Sequence, residues 1–413
     1  MTLAVADEAP RAVPPARLVV PALGVTQILA WGSSFYLPAV LAKPIADDTG
    51  WPLTWVVGGL SLGLLVAGLA SPFIGRQIHR WGGRPVLMAS AVLLGAGCVG
   101  LAVAPTLPVF IAAWLVMGLG MGAGLYDAAF STLGRTYGQA ARQHITTLTL
   151  FGGFASTVCW PLSAFFLDQL GWRGTCVAYA AIHVLFNLAI YVFALPREPE
   201  NGKESAAMAG RAGATSVFSP PATLFMLLAV TITISSVLST VMSVHLLTVL
   251  QARDITLAAA VALGAIVGPS QVSARFIEMI VAKYHHPIWT KIASVTTVTV
   301  GLGLLWGHFP WIPLTLVFYG AGIGLESIAR ATLPLVLFGA QNYAPIMGKR
   351  ARPSLIAMAA APSIGAYLIA WFGSDRALGM IVAVASVNVL LVLALFGAQR
   401  RLAPRQVGLL RDP

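Results

Sequence analysis

The 413 residues are 58% hydrophobic and only 9% charged, against about 25% charged for an ordinary soluble domain. So few charges cannot cover a soluble surface, and the formal net charge of +11 must be explained by where the basic residues fall, not by nucleic acid. The three cysteines, Cys98, Cys159 and Cys176, sit in apolar stretches without paired spacing, so they read as packing residues and not as disulfides or metal ligands.

Long stretches free of Asp, Glu, Lys and Arg punctuate the chain, each able to cross hydrocarbon, which takes about 20 apolar residues as helix. In chain order they predict spans over 18–40, 53–75, 86–104, 109–131, 145–167, 174–195, 222–250, 256–280, 288–307, 311–337, 353–373 and 377–399. Two stretches of double length are split by turn signals, Pro105-Thr106-Leu107-Pro108 and His308-Phe309-Pro310. The tenth span carries Glu326 and Arg330 but continues apolar on both sides. The first 17 residues contain Asp7 and Glu8 and lack a cleavage-site pattern, so the first span is expected to serve as its own insertion signal. Pro196 to Pro221, rich in Gly, Ala, Ser and charge, predicts a flexible linker. The expected fold is an all-α membrane protein of twelve transmembrane helices. It divides into a six-helix half over 1–195, a cytoplasmic linker over 196–221, a second half over 222–399 and a cytoplasmic tail over 400–413.

Lys and Arg set the orientation. With the N-terminus cytoplasmic, inner segments hold 19 of the 25 and outer segments only Lys43, Arg173, Arg253 and Arg376. That positive-inside bias predicts an inner (plasma) membrane protein with both termini cytoplasmic, and it accounts for the net charge. Lys291, Lys349, Arg350 and Arg352 are counted among the inner charges.

Gly118, Gly120 and Gly122 in span four are echoed by Gly320, Gly322 and Gly324 in span ten, an offset of about half the chain. Glycine ladders let helices approach closely in lipid, so spans four and ten read as equivalent helices of two repeated halves. The segment after span two runs Gly75-Arg76-Gln77-Ile78-His79-Arg80-Trp81-Gly82-Gly83-Arg84-Pro85. It resembles the signature loop of the major facilitator superfamily, with His79 where that family usually has an acid. Gly50-Trp51, Gly171-Trp172-Arg173 and His245-Leu246 are similar to hallmarks of its bacterial monocarboxylate-porter-like branch, although Gln271 stands four residues before Arg275 where the branch commonly has an acid. Trp114 in span four replaces an arginine common in exporters. The resemblance covers nearly the whole chain. It implies alternating access, a solute site between halves near the midplane, and a gating loop whose matching positions are Gly75, Arg76, Arg80 and Arg84.

Ionised groups inside spans are costly and usually face a partner or a wet cavity. Five were expected there: Asp127, Arg275, Glu278, Glu326 and Arg330. Helical spacing pairs Arg275 with Glu278 and Glu326 with Arg330, which leaves Asp127 without a local mate. A carboxylate in low dielectric has its charged form disfavoured, so Asp127 is the first proton-coupling candidate, with Glu326 and Glu278 behind it. Arg275 and Arg330 offer forked donors for an anionic solute, and Tyr126, Gln271 and His245 are further solute candidates. Each has a structural alternative, as ion pair, packing residue or hydrogen-bonded histidine. His183 and Asn187, four apart, are expected to share a polar contact. His285 and His286 lack further metal ligands nearby, and Gly95 to Gly100 fits helix packing better than a dinucleotide fold. The reading is a transporter and not an enzyme, with no cofactor: a proton-coupled organic-anion or monocarboxylate carrier working as a monomer in the bilayer. A proton-driven exporter of drugs or other amphipathic compounds is the alternative, and a membrane sensor or intramembrane enzyme the non-transporting one.

Overall fold

A computed structural model describes residues 15–196 and 222–408, so the predicted linker, except Pro196, lies outside the described residues, as do 1–14 and 409–413. The described chain is helical, without a strand. Its helices are α1 (Ala16–Gly32), α2 (Leu37–Thr49), α3 (Leu53–Trp81), α4 (Gly83–Val103), α5 (Leu107–Gly124), α6 (Tyr126–Tyr137), α7 (Ala141–Gly153), α8 (Ala155–Ala181) and α9 (Leu188–Ala194). After the undescribed segment come α10 (Ala222–Gln251), α11 (Leu257–Gly264), α12 (Val267–Val281), α13 (Pro287–Trp306), α14 (Ile312–Phe338), α15 (Tyr343–Phe372) and α16 (Ser374–Gly408).

Among the described residues, ten helical stretches are long and apolar enough to cross a membrane. One of them, Ala141–Ala194, would be about 80 Å long at 1.5 Å per residue, far beyond a hydrocarbon core of about 30 Å. Gly171, at φ 69°, turns the chain there and makes two spans of it. The broken pair α11–α12 supplies another, and the total agrees with the predicted twelve. Several spans are interrupted. Between α1 and α2 the Ser33 and Ser34 hydroxyls bond back to the Leu29 and Ala30 carbonyls, a local alternative to helix, and Leu125 and Phe154 interrupt the spans formed by α5–α6 and α7–α8.

The glycine ladders are the close-approach surfaces the sequence implied. A Cβ on Gly118 would collide with the Gly63 backbone on α3, and one on Gly120 would lie 2.9 Å from Leu94 on α4. In α14 the same alternation recurs, with Gly320 and Gly324 against Val267 and Gln271 of α12 and Gly322 against Ser294 and Val298 of α13.

The helices up to α9 meet those from α10 onward chiefly where α15 packs on α3 and α6, and α12 and α14 on α7. Gly75 and Gly348 bring backbones together, since a Cβ on Gly75 would lie 3.1 Å from the Gly348 Cα. Ser71 Oγ donates to the Gly348 carbonyl at 2.9 Å and Arg142 Nη2 to the His285 carbonyl at 2.8 Å. This seam closes the end of the bundle that holds residue 15, the α3–α4 turn and the start of α15. The eleventh span therefore begins at Tyr343, ten residues before the predicted start, and runs through Pro353 and Pro362. Proline is tolerated inside membrane helices because neighbours satisfy the freed carbonyls. Lys349, Arg350 and Arg352 are accordingly helical, not loop residues, and Arg350 is fully buried.

Candidate solute cavity

Between the two helix groups lies a cavity of about 260 Å³. Its wall from the first group is aromatic: Trp31, Phe35, Tyr36 and Tyr126. Three of these sit around the break in the first span, which is held from behind. His183 Nε2 donates to Ser33 Oγ at 2.6 Å while Asn187 Nδ2 donates to His183 Nδ1 at 3.1 Å. This is the polar contact expected of His183 and Asn187, formed within a π-helical turn over Ile182–Asn187. The wall from the second group is polar, with Ser235, Ser239, Thr240, Gln271, Arg275, Glu326, Arg330 and Asn388 among its residues.

The charges pair across helices and not along them. Asp127 accepts from Arg350 and, at 3.3 Å, from Arg330, so the carboxylate expected to lack a partner has two, both from the opposite group. Glu326 bonds to Lys291 Nζ at 2.5 Å and to Ser294 Oγ at 2.9 Å. The helical pairs Arg275–Glu278 and Glu326–Arg330 do not form. Glu278 accepts from Thr290 at 2.7 Å and lies 3.4 Å from His285, away from the cavity wall. Arg275, 6% exposed, donates to Gln271 Oε1, the Gly324 carbonyl and the Thr149 carbonyl at 3.1 to 3.4 Å, and no carboxylate among the described residues pairs with it.

The structure thus gathers Tyr126, Gln271, Arg275, Glu326 and Arg330 on one cavity, with Asp127 beside it on a smaller adjoining pocket. His245 stands apart: its Nε2 bonds to the Pro362 carbonyl at 2.9 Å, within the second group. Of the predicted gating loop, residues through Trp81 are helical and the turn shrinks to Gly82 at φ 85°. Gly75 lies in the seam; Arg84 reaches the Val192 carbonyl at 2.6 Å. Arg76 is exposed and Arg80 lies over the Trp81 ring, and neither pairs with an acid among the described residues. Outside the spans, His286 caps α13, its Nδ1 accepting from the Ile288 amide at 3.1 Å. Burial, with Arg142 and His285 nearby, holds it below the ordinary imidazole range, which suits an acceptor. No three His, Cys, Asp or Glu side chains cluster as metal ligands among the described residues.

Sequence reasoning missed Lys291 and Arg350, both read as inner-face charges. Lys291 gave a signal, since it lies within the predicted ninth span. Arg350 gave none, because Pro353 looked like a helix start.

Twelve apolar spans around a charged cavity that two helix groups enclose, shut at one end by a seam between them, define a multi-pass membrane protein with a central cavity of small-molecule size. The chain belongs to the Major Facilitator Superfamily, whose family profile matches residues 23–351. It is similar to mouse "Monocarboxylate transporter 11", 36% identical over 143 residues, which are 33% of this chain and 29% of that one. It is also similar to the "Purine ribonucleoside efflux pump NepI" of Escherichia coli, 28% identical over 174 residues, 41% of this chain and 43% of the pump. The chain therefore matches less than half the length of these curated relatives. Among solved structures, the human organic anion transporter MFSD10 shares the fold at TM-score 0.73 and 15% identity, over 92% of this chain and all of that one. The proton:xylose symporter XylE does so at 0.68 and 14%, over 92% and 95%.

Proposed function

We propose that the protein is a proton-coupled carrier of organic anions of the monocarboxylate type. The observation that carries this reading is Arg275, a buried cation on the cavity wall with no carboxylate partner among the described residues. A guanidinium holding only three long hydrogen bonds retains donors for a carboxylate. The wider balance agrees. Asp127, Glu278 and Glu326 are opposed by Arg275, Lys291, Arg330 and Arg350, a positive excess that an anionic solute would neutralise.

The seam suggests how a proton enters. Both partners of Asp127 belong to the opposite helix group, so rocking the groups apart strands the carboxylate. An unpaired anion there is expensive, and taking up a proton relieves the cost. Glu326 differs, because Lys291 and Ser294 belong to its own group and travel with it. With cytoplasmic termini, the state described is closed to the cytoplasm.

The test is uptake of labelled lactate into liposomes holding the purified protein, with and without an inward proton gradient. Gradient-driven accumulation is expected, reduced at least about tenfold in Arg275→Lys, whose point charge cannot reproduce the fork. Undiminished uptake by that variant would remove the basis of the reading. The aromatic wall favours a second reading, proton-driven export of amphipathic compounds, which predicts outward movement of such compounds under the same gradient.

A further inference from the structure

The charge of Arg275 leaves the rest of the cavity unexplained. Trp31 lies 5.1 Å from Tyr126 and 5.3 Å from Phe35, ring centre to ring centre, and Phe35 lies 5.3 Å from Tyr36, so one wall is a continuous aromatic face. The indole Nε1 of Trp31 is buried without a hydrogen-bond partner. Across the cavity the Tyr319 hydroxyl and Asn388 Oδ1 also lack partners, in residues only 3% and 2% exposed. Buried polar atoms left this way are costly unless a ligand or water satisfies them. The guanidinium stands at the edge of the aromatic face, because Arg275 Nη1 and the Tyr126 hydroxyl both donate to the Thr149 carbonyl, at 3.1 and 3.4 Å.

We propose that the solute is an aromatic carboxylate bearing a polar substituent on its ring. Its carboxylate takes the Arg275 N–H donors left free by the Gln271, Gly324 and Thr149 oxygens, its ring lies against Trp31 and Phe35, and its substituent meets Tyr319 and Asn388. A short aliphatic acid would satisfy the arginine but leave the aromatic face and the far polar atoms without contacts. The volume of about 260 Å³ lies just below the ~300–1,000 Å³ usual for small-molecule pockets, room for one ring. The proposal rests on the organic-anion reading and narrows it.

The test is calorimetric binding to the full chain in detergent, with 4-hydroxyphenylacetate, lactate, 4-hydroxycyclohexylacetate and tyramine as probes. The aromatic acid should bind at least about tenfold more tightly than lactate, the gain of offset ring packing and added contact area, and tyramine should not bind. Trp31→Ala should erase that margin by weakening the aromatic acid at least about tenfold more than lactate, and Trp31→Phe should keep most of it. The comparison with the saturated-ring acid needs no variant: weaker binding supports ring stacking, and equal binding overturns it. Lactate binding as tightly as the aromatic acid would overturn the proposal and leave the anion reading standing. Binding of tyramine alone would overturn both.

Discussion

Replacing Asp127 by Asn removes the carboxylate that Arg330 and Arg350 share across the seam. The Arg350 side chain is 0% exposed and that of Arg330 16%, so water replaces little of what is lost. Breaking a buried pair by deleting one partner costs about 3–5 kcal/mol. Because the partners lie on opposite helix groups, the cost falls on the closed arrangement and not on the fold of either group. Taking about 3 kcal/mol, to allow for the partial exposure, shifts the open-to-closed ratio by at least about a hundredfold. Met347, fully buried among seam residues such as Ile74 and Ile78, reports the change. A Met347→Cys reporter, with Cys98, Cys159 and Cys176 replaced, should react with maleimide far faster once Asp127→Asn is added. Adding Arg350→Gln should recover part of the protection, as coupled residues do in a double-mutant cycle. A labelling rate within a few-fold of the parent would show that the pair does not hold the seam, and the coupling argument built on it would fail.

Other perturbations test separate parts of the reading. Glu326→Gln leaves Lys291 buried beside a neutral partner and should lower the protein's melting temperature in detergent, whereas Glu326→Gln with Lys291→Met should recover most of it; equal melting of all three forms would deny the pair a structural role. Gly75→Ala places a methyl carbon against the Ala344 and Gly348 backbone, and should abolish transport while solute binding persists, as calorimetry beside liposome uptake would show. Removing the His183 imidazole by His183→Ala takes away the acceptor of the buried Asn187 amide and the donor to Ser33 Oγ, which keeps its bond to the Leu29 carbonyl, and should cost about 1–3 kcal/mol, read from chemical denaturation or a thermal shift. For orientation, Asp254→Cys should be labelled by an impermeant reagent on intact cells and Arg400→Cys shielded; the reverse pattern would invert the topology.

The spans, their number and the glycine-ladder equivalence of α5 and α14 were legible because lipid imposes them: a run free of charge must be helical, and glycine at close approach marks a packing face. The helix breaks were less legible, since Ser33 and Ser34 become turn residues only through carbonyls that a linear sequence does not display. Charge pairing was misread because spacing along one helix measures only local neighbours. Asp127 found its partners about two hundred residues away, and Glu326 took Lys291 across a helix interface in preference to Arg330 one turn along. The aromatic wall was also hidden, because Trp31, Phe35 and Tyr126 reach one surface only after the first span breaks and the fourth crosses it.

The two glycine ladders bear on how substitutions should sort by phenotype. Each ladder seats its helix against two neighbours by turns, so α3, α4 and α5 on one side, and α12, α13 and α14 on the other, are locked backbone to backbone as triplets. Added bulk within a triplet has nowhere to go and should surface as poor membrane insertion or yield. A change between triplets, along α3 and α15 for example, alters a joint that has to open, and should leave expression intact while changing turnover. A saturation library scored separately for abundance and for uptake would divide along that geometric line.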